Sequence, residues 1–236
     1  MQALLVLNRE IIACRRCPRL VEYRELVGRA KRRAYQDWDY WARPVPGFGD
    51  PKARLLLIGL APGAHGANRT GRIFTGDSSG DFLYRALFET GFASQPTSAS
   101  RDDGLRLLDA YVSAAVRCAP PGNKPAPAEI LNCRPYLERE LELLKNLRVV
   151  IALGRLAFDA YLSILRAQGK IARRSAFTFA HGQEYRTGPG QPLLLCTYHP
   201  SQQNTFTGKL TQPMLQAVFR KAGRRLEEPG RPAKRN

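Results

Sequence analysis

Four short apolar runs, at residues 54–59, 111–116, 149–153 and 193–197, are separated by stretches whose apolar residues recur at helical spacing. A short run without polar alternation suits a strand buried on both faces, and strands that alternate with helices build a parallel sheet covered on both sides. The expectation is an α/β protein, with three α/β/α layers around a four-stranded parallel sheet. Helices are expected at about 79–90, 127–147, 155–168 and 211–225, and a short edge strand at 177–179. Asp77, Ser78 and Ser79 offer cap oxygens to the first of these helices, while Pro125 and Pro127 suit the start of the second.

Ahead of the first strand lies an extension of about 50 residues: a helix at 2–12, a loop holding Cys14 and Cys17, and a charged helix to about 33. An aromatic and proline stretch from Tyr35 to Pro46 connects it onward. The expectation is one domain over residues 1–226, with the extension packed on it, and a basic disordered tail at 227–236.

Lys and Arg number 37 against 20 Asp and Glu, a net charge of +17. That surplus points to a polyanionic partner, nucleic acid foremost, over a merely solvated basic surface. No stretch approaches the ~20 apolar residues of a membrane span, and the N-terminus has no apolar run followed by a cleavage site. A cytoplasmic protein is expected. There, cysteines serve as metal ligands, catalytic groups or core residues more often than as disulfides.

Cys14 and Cys17 form C-x2-C, and Cys118 and Cys133 form C-x14-C about a hundred residues later. Two such pairs could complete a four-sulfur shell for zinc or for an iron–sulfur cluster, or stay unligated; spacing leaves all three open. A metal centre would pin the extension onto the second strand and the helix after it. Cys196, inside the run LLLCTY, reads as a small buried hydrophobe.

Ligands of open parallel sheets bind beyond the carboxyl ends of the strands. Three unusual segments fall there: the glycine-rich loop 59–77, APPGNKP at 119–125, and HPSQQNTFTGKLT at 199–211. The first lacks both the G-x-x-x-x-G-K-[ST] and the G-x-G-x-x-G phosphate loops. Phe74, an aromatic in a polar loop, either stacks on a planar base or anchors the loop on the core. Asp77 reads as a helix cap whose second oxygen is free for chemistry. His199 is the sharpest of three histidines, since it ends a strand with Ser201 and Asn204 close behind, whereas His65 and His181 read as positional.

Together these residues resemble the uracil-DNA glycosylase superfamily, and most closely its family 5, the type-B iron–sulfur branch found in thermophiles and bacteria. Four matches carry the resemblance: GLAPGAHGANRTGRIFTGD at 59–77, CAPPGNKP at 118–125, HPSQQN at 199–204, and the four cysteines. It implies a [4Fe-4S] cluster on Cys14, Cys17, Cys118 and Cys133. It also implies a monofunctional glycosylase that flips a damaged nucleotide out of single- or double-stranded DNA and hydrolyses its glycosidic bond. The base would stack on Phe74, with Ala61, Pro62, Gly63 and Asn123 at its edge. His199 would face a base carbonyl and Asp77 the attacking water. Ser201, Asn204 and Lys209 would contact DNA.

Two departures from the related family 4 bear on specificity. The stretch 62–66 lacks that family's acidic residue, which leaves Asp77 as the nearest acid, and Ala114 stands where family 4 reads uracil with asparagine. A broader range, uracil plus deaminated purines such as hypoxanthine, is therefore expected. The site segments hold no lysine besides Lys124 and Lys209, which disfavours a Schiff-base lyase step. The resemblance further suggests a monomer without membrane attachment, working at the nucleoid of a bacterium or archaeon. A DNA-binding iron–sulfur protein without glycosylase activity is the competing reading.

Overall fold

A computed structural model describes residues 2–228. In chain order the elements are α1 (Gln2–Ile12), α2 (Pro18–Ala30), β1 (Phe48–Gly49), β2 (Leu55–Gly59), α3 (Ala67–Thr70), α4 (Ser78–Glu89), β3 (Ala110–Ala114), α5 (Pro127–Leu143), β4 (Val149–Leu153), α6 (Arg155–Ala167), β5 (Glu184–Arg186), β6 (Leu193–Thr197), α7 (Gln202–Phe206) and α8 (Gln212–Glu227). The strands form one sheet in the order β1-β3-β2-β4-β6-β5.

The four inner strands are parallel and buried along their whole length, which is why they read as unbroken apolar runs. Their side chains alternate between two cores. Leu55, Leu57, Val112, Ile151 and Leu195 face α4 and α8, where Leu83, Leu87, Leu215 and Phe219 meet them. Leu56, Ile58, Val150, Leu194 and Cys196 face the other way, onto Phe158, Tyr161 and Leu162 of α6. Each fully buried leucine contributes ~1.5–3 kcal/mol, so a register slip of one residue would forfeit both faces at once.

The sheet has six strands rather than the expected four, because β1 and β5 pair antiparallel on its two edges. Runs of two and three residues are too short to show periodicity. The aromatic alternation at 177–179 does not form the expected strand. Its rings are partly buried instead by edge-on packing, Phe177 against Tyr185 at 5.3 Å and Phe179 against Phe158 at 5.6 Å between centroids. Pairing beside β3 continues past Ala114, since Ala115 and Val116 donate to the Gly59 and Leu60 carbonyls, both at 2.9 Å.

Helix ends deviate more. α2 stops at Ala30 because Lys31 takes a positive φ of 49°, and α5 stops at Leu143. α8 runs on to Glu227, two residues beyond expectation, with its end held by Arg148 against the Leu226 and Glu228 carbonyls. The rest of the expected tail, 229–236, lies outside the described residues. Among those described, no helix is long and apolar enough to cross a membrane. The N-terminal helices lie against the body: Leu7 and Ile11 of α1 pack on Tyr136 of α5, and Arg19 of α2 pairs with Glu129 at 2.6 Å.

In-register pairing of Gly59 with Ala114 and of Leu153 with Thr197 aligns the carboxyl ends of the inner strands along one edge. The three unusual segments all leave from that edge.

Candidate active site

A cavity of about 750 Å³ opens over this edge, walled by all three segments. Its floor is set by Gly59. A Cβ there would come within 2.7 Å of Phe74 Cε2, so only glycine lets the Phe74 ring lie across the end of β2. Phe74 itself has φ of +50°, a left-handed conformation costing roughly 1–2 kcal/mol for a residue with a side chain. The surrounding loop enforces it. Arg72, only 3% exposed, donates to Thr75 Oγ1 at 2.9 Å, to Ser98 Oγ at 3.0 Å and to both Asp103 oxygens. Asp103 is held at about 2, chiefly by Arg72 and backbone N–H groups that together outweigh its partial burial.

Asp77 caps α4, its Oδ1 accepting from the Gly80 N–H at 3.0 Å. Oδ2 faces Gly63 and Gly66 across the loop; a Cβ on Gly63 would stand 2.9 Å from it, and one on Gly66 would overlap it. Burial pushes the carboxyl up, against the opposing pull of the Gly80 and Ser79 N–H groups and of Arg69.

His199 follows β6 and shares the cavity wall. Burial pushes its imidazole down to about 4, so it is neutral near pH 7. Asn204 fixes it in place by donating to the His199 carbonyl at 2.8 Å. Gly154, with φ of +94°, leaves room behind it, since a Cβ there would sit 3.0 Å from His199 Cβ.

The cavity wall includes Ala61, Gly63, Phe74, Asp77, Asn123, His199 and Ser201 of the residues named from sequence. Asn123 is exposed at the rim in a short 3-10 turn, Pro121–Asn123, with φ of +57°. Pro62 is buried and not part of the wall. Asn204 and Lys209 also lie off it: Asn204 spends its amide on His199, and Lys209 Nζ sits 5.0 Å above the Tyr198 ring. Ser201 doubles as the cap of α7, accepting from Asn204 N–H at 3.4 Å.

Sequence reasoning missed several participants. Tyr23 and Arg32 of the extension and Tyr35 of the connector reach the cavity, although nothing in their spacing announces it. His65 lines it too, bonded through Nδ1 to Tyr40 Oη at 3.1 Å. Phe206, at the end of α7, is 79% exposed. It is an aromatic in a polar loop, the same signal that singled out Phe74.

Beside the cavity, Cys17, Cys118 and Cys133 share one buried cluster with Leu20 and Val116, and Cys14 packs next to Tyr136. Burial pushes the Cys118 thiol up to about 12 and Cys133 up to about 11, against the opposing pull of Arg24 on the first and Arg117 on the second. Arg24, 2% exposed, donates to Cys118 Sγ at 3.0 Å, and Asn132 to Cys17 Sγ at 3.5 Å. Among the described residues, no group of three His, Cys, Asp or Glu side chains could hold a single metal ion. Cys196 stands apart, fully buried under α6 as expected.

A strand-edge cavity with an aromatic floor, a buried carboxylate and a neutral histidine is accompanied by a family match: the profile of the Uracil DNA glycosylase superfamily covers residues 46–223, and the chain belongs to that superfamily. Within it the chain falls in the type-5 family. It is 55% identical over 215 residues to a type-5 uracil-DNA glycosylase of Thermus thermophilus, which spans 91% of this chain and 94% of that protein. A type-5 uracil-DNA glycosylase of Pyrobaculum aerophilum is 45% identical over 212 residues, 90% of this chain and 88% of its own. A type-4 uracil-DNA glycosylase of the same archaeon reaches 30% over 183 residues, 77% and 81% of the two chains.

Proposed function

We propose that this chain is a monofunctional DNA glycosylase of base excision repair, which removes uracil from DNA and leaves an abasic site. The observation that carries the reading is the convergence of Phe74, Asp77, Asn123 and His199 on one cavity of about 750 Å³, the size range of small-ligand sites and ample for a flipped nucleotide. As the glycosidic bond lengthens, negative charge gathers on the base and positive charge on the sugar. A neutral His199, itself largely buried, donates a hydrogen bond to the base carbonyl as its charge develops. Asp77 orients the attacking water, accepts its proton, and as an anion favours the cationic sugar. Phe74 stacks on the base, the Ala61 and Gly63 backbone and the Asn123 amide meet its edge, and Ser201, Asn204 and Lys209 support the DNA alongside.

The substrate range extends to hypoxanthine. Ala114, 1% exposed at the end of β3, offers no polar side chain to discriminate among base edges. A panel of oligonucleotides bearing uracil, hypoxanthine, xanthine and mismatched thymine tests both statements. Alkali-labile sites are expected at uracil and hypoxanthine. Intact uracil strands despite tight binding would favour a DNA-binding protein without excision activity.

Cys14, Cys17, Cys118 and Cys133 fit a [4Fe-4S] cluster better than a zinc ion. Cys17, Cys118 and Cys133 share one buried cluster with Cys14 beside it, an all-thiol donor set of the kind that holds iron–sulfur clusters. Among the described residues the buried Arg24 guanidinium also leaves Nε without a partner, and the one carboxylate within 4 Å is that of Glu25 at 3.9 Å, so thiolates are its natural counter-charge. When bound, the cluster supplies iron–thiolate bonds that staple α1 and α2 to the sheet, and with them Tyr23, Arg32 and Tyr35. We further propose that residues 1–226 act as one monomeric domain on single- or double-stranded DNA, in the cytoplasm at the nucleoid and away from membranes.

A further inference from the structure

Arg69 is 3% exposed and lies between two aromatic rings of the connector, its Cζ 3.9 Å from the Tyr35 centroid and 4.0 Å from that of Trp38. A guanidinium so confined has little rotamer freedom left to lose. Its Nε donates to the His65 carbonyl at 2.8 Å and its Nη2 to the Gly76 carbonyl at 2.6 Å. Those two carbonyls have a particular place in the chain. His65 immediately precedes Gly66, the backbone against which Asp77 Oδ2 rests, and Gly76 immediately precedes Asp77.

Gly76 is required twice over, by its φ of +80° and because a Cβ there would stand 2.6 Å from Arg69 Nη2. The connector reinforces the arrangement through backbone bonds, Trp41 N–H to the Arg69 carbonyl at 2.9 Å and Ala42 N–H to that of Asn68 at 3.0 Å. Arg69 Nη1, also buried, has no hydrogen-bond partner among the described residues.

We infer that Arg69 is a positioning residue for Asp77: one guanidinium, gripped by Tyr35 and Trp38, ties together the two loop segments that seat the Asp77 carboxylate and supplies the positive charge that acts on it. The inference rests on the role of Asp77 in the function proposed above. Around Asp77 the charges are few. Asp81, on α4, opposes its ionisation and Arg69, on α3, favours it, while His65, His199 and Arg32 face the same cavity. Burial pushes the carboxyl up, so without Arg69 it would be protonated at higher pH and could neither accept a proton from water nor stabilise the sugar cation.

The test is single-turnover uracil release from a single-stranded oligonucleotide across pH 4.5–8.5 by the full chain, with Arg69→Gln, Arg69→Lys and Asp77→Ala beside the wild type. Arg69→Gln keeps a donor and loses the charge. Its rate near neutral pH should fall by on the order of 10–100-fold, the cost of a small misplacement, and the midpoint of its acidic limb should move to higher pH. Arg69→Lys keeps the charge but cannot hold both carbonyls, so it should be about tenfold slow with its limb where the wild type has it. Coincident limbs in Arg69→Gln and wild type overturn the inference. If Arg69→Gln does not fold, Arg69→Lys decides alone, and a wild-type rate in it overturns the inference. Asp77→Ala separates the two levels: an undiminished rate there removes the role of Asp77 itself, whereas a slow Asp77→Ala with superimposable Arg69→Gln and wild-type profiles removes only that of Arg69.

Discussion

The ring of Phe74 lies 5.7 Å from that of His199, centroid to centroid, at an interplanar angle of 36°. Phe74 is supplied by the loop after β2 and His199 by the end of β6, strands separated in the sheet by β4. In the proposed function, a base seated on the Phe74 ring would meet the imidazole, so that stacking and hydrogen bonding would act on the same ligand.

Phe74→Ala should remove that seat. Base–aromatic stacking contributes ~1–3 kcal/mol, so apparent affinity for a uracil-containing strand should fall about 10–100-fold. Thermal stability should fall as well, because the Phe74 ring is buried in the core that faces α4 and α8 and alanine keeps the strained positive φ without filling that space. Titration of the variant with a labelled oligonucleotide, paired with a melting curve, checks both.

Because burial holds His199 neutral down to about 4, its hydrogen-bonding state should not change between pH 6 and 8. Excision should be flat there on its account. Stability should carry the opposite signature. Unfolded histidine titrates near 6.5 and the folded one near 4, so the unfolded state binds the extra proton first. The contribution of neutral His199 is complete above about pH 6.5 and is lost as pH falls toward 4, by on the order of 3 kcal/mol. Denaturant unfolding of wild type and His199→Asn at several pH values isolates it: the gap between the curves should narrow as the solution is acidified.

The parts of the site legible in sequence are those with local signals. Asp77 follows from its capping position, Phe74 from an aromatic in a polar loop, and His199 from a strand end followed by proline. The four inner strands follow from double-sided burial. What sequence hid depends on contacts far apart in the chain. The Tyr35–Arg69–Trp38 sandwich joins a connector to a loop more than 30 residues on, and nothing periodic marks it. β1 and β5 owe their existence to neighbours that offer unpaired edges. Asn204 carries a tie that its place in the motif did not announce, since its amide is bonded to the His199 carbonyl.

Phe206, 79% exposed at the end of α7, should matter only where a duplex must be opened. A wedge inserted between base steps replaces stacking lost on flipping. Phe206→Ala should slow excision from duplex DNA about tenfold and leave single-stranded substrate within about twofold. Equal losses on both would place Phe206 in base recognition instead.

Cys17→Ser should abolish the broad visible absorbance of an iron–sulfur cluster and lower the melting temperature, because the staple between α2 and the sheet is broken. Metal analysis of the wild type should find about four irons per chain. A colourless wild type with one zinc per chain would contradict the cluster.

The proposed chemistry requires Asp77 to act in the bond-breaking step, and single-turnover uracil release measured beside binding to the same oligonucleotide tests this most directly. Asp77→Ala should lose about 10²–10⁴-fold in the rate of release while its Kd for the uracil-containing strand stays within a few-fold of wild type. Release at the wild-type rate, or a loss explained entirely by weaker binding, would contradict it.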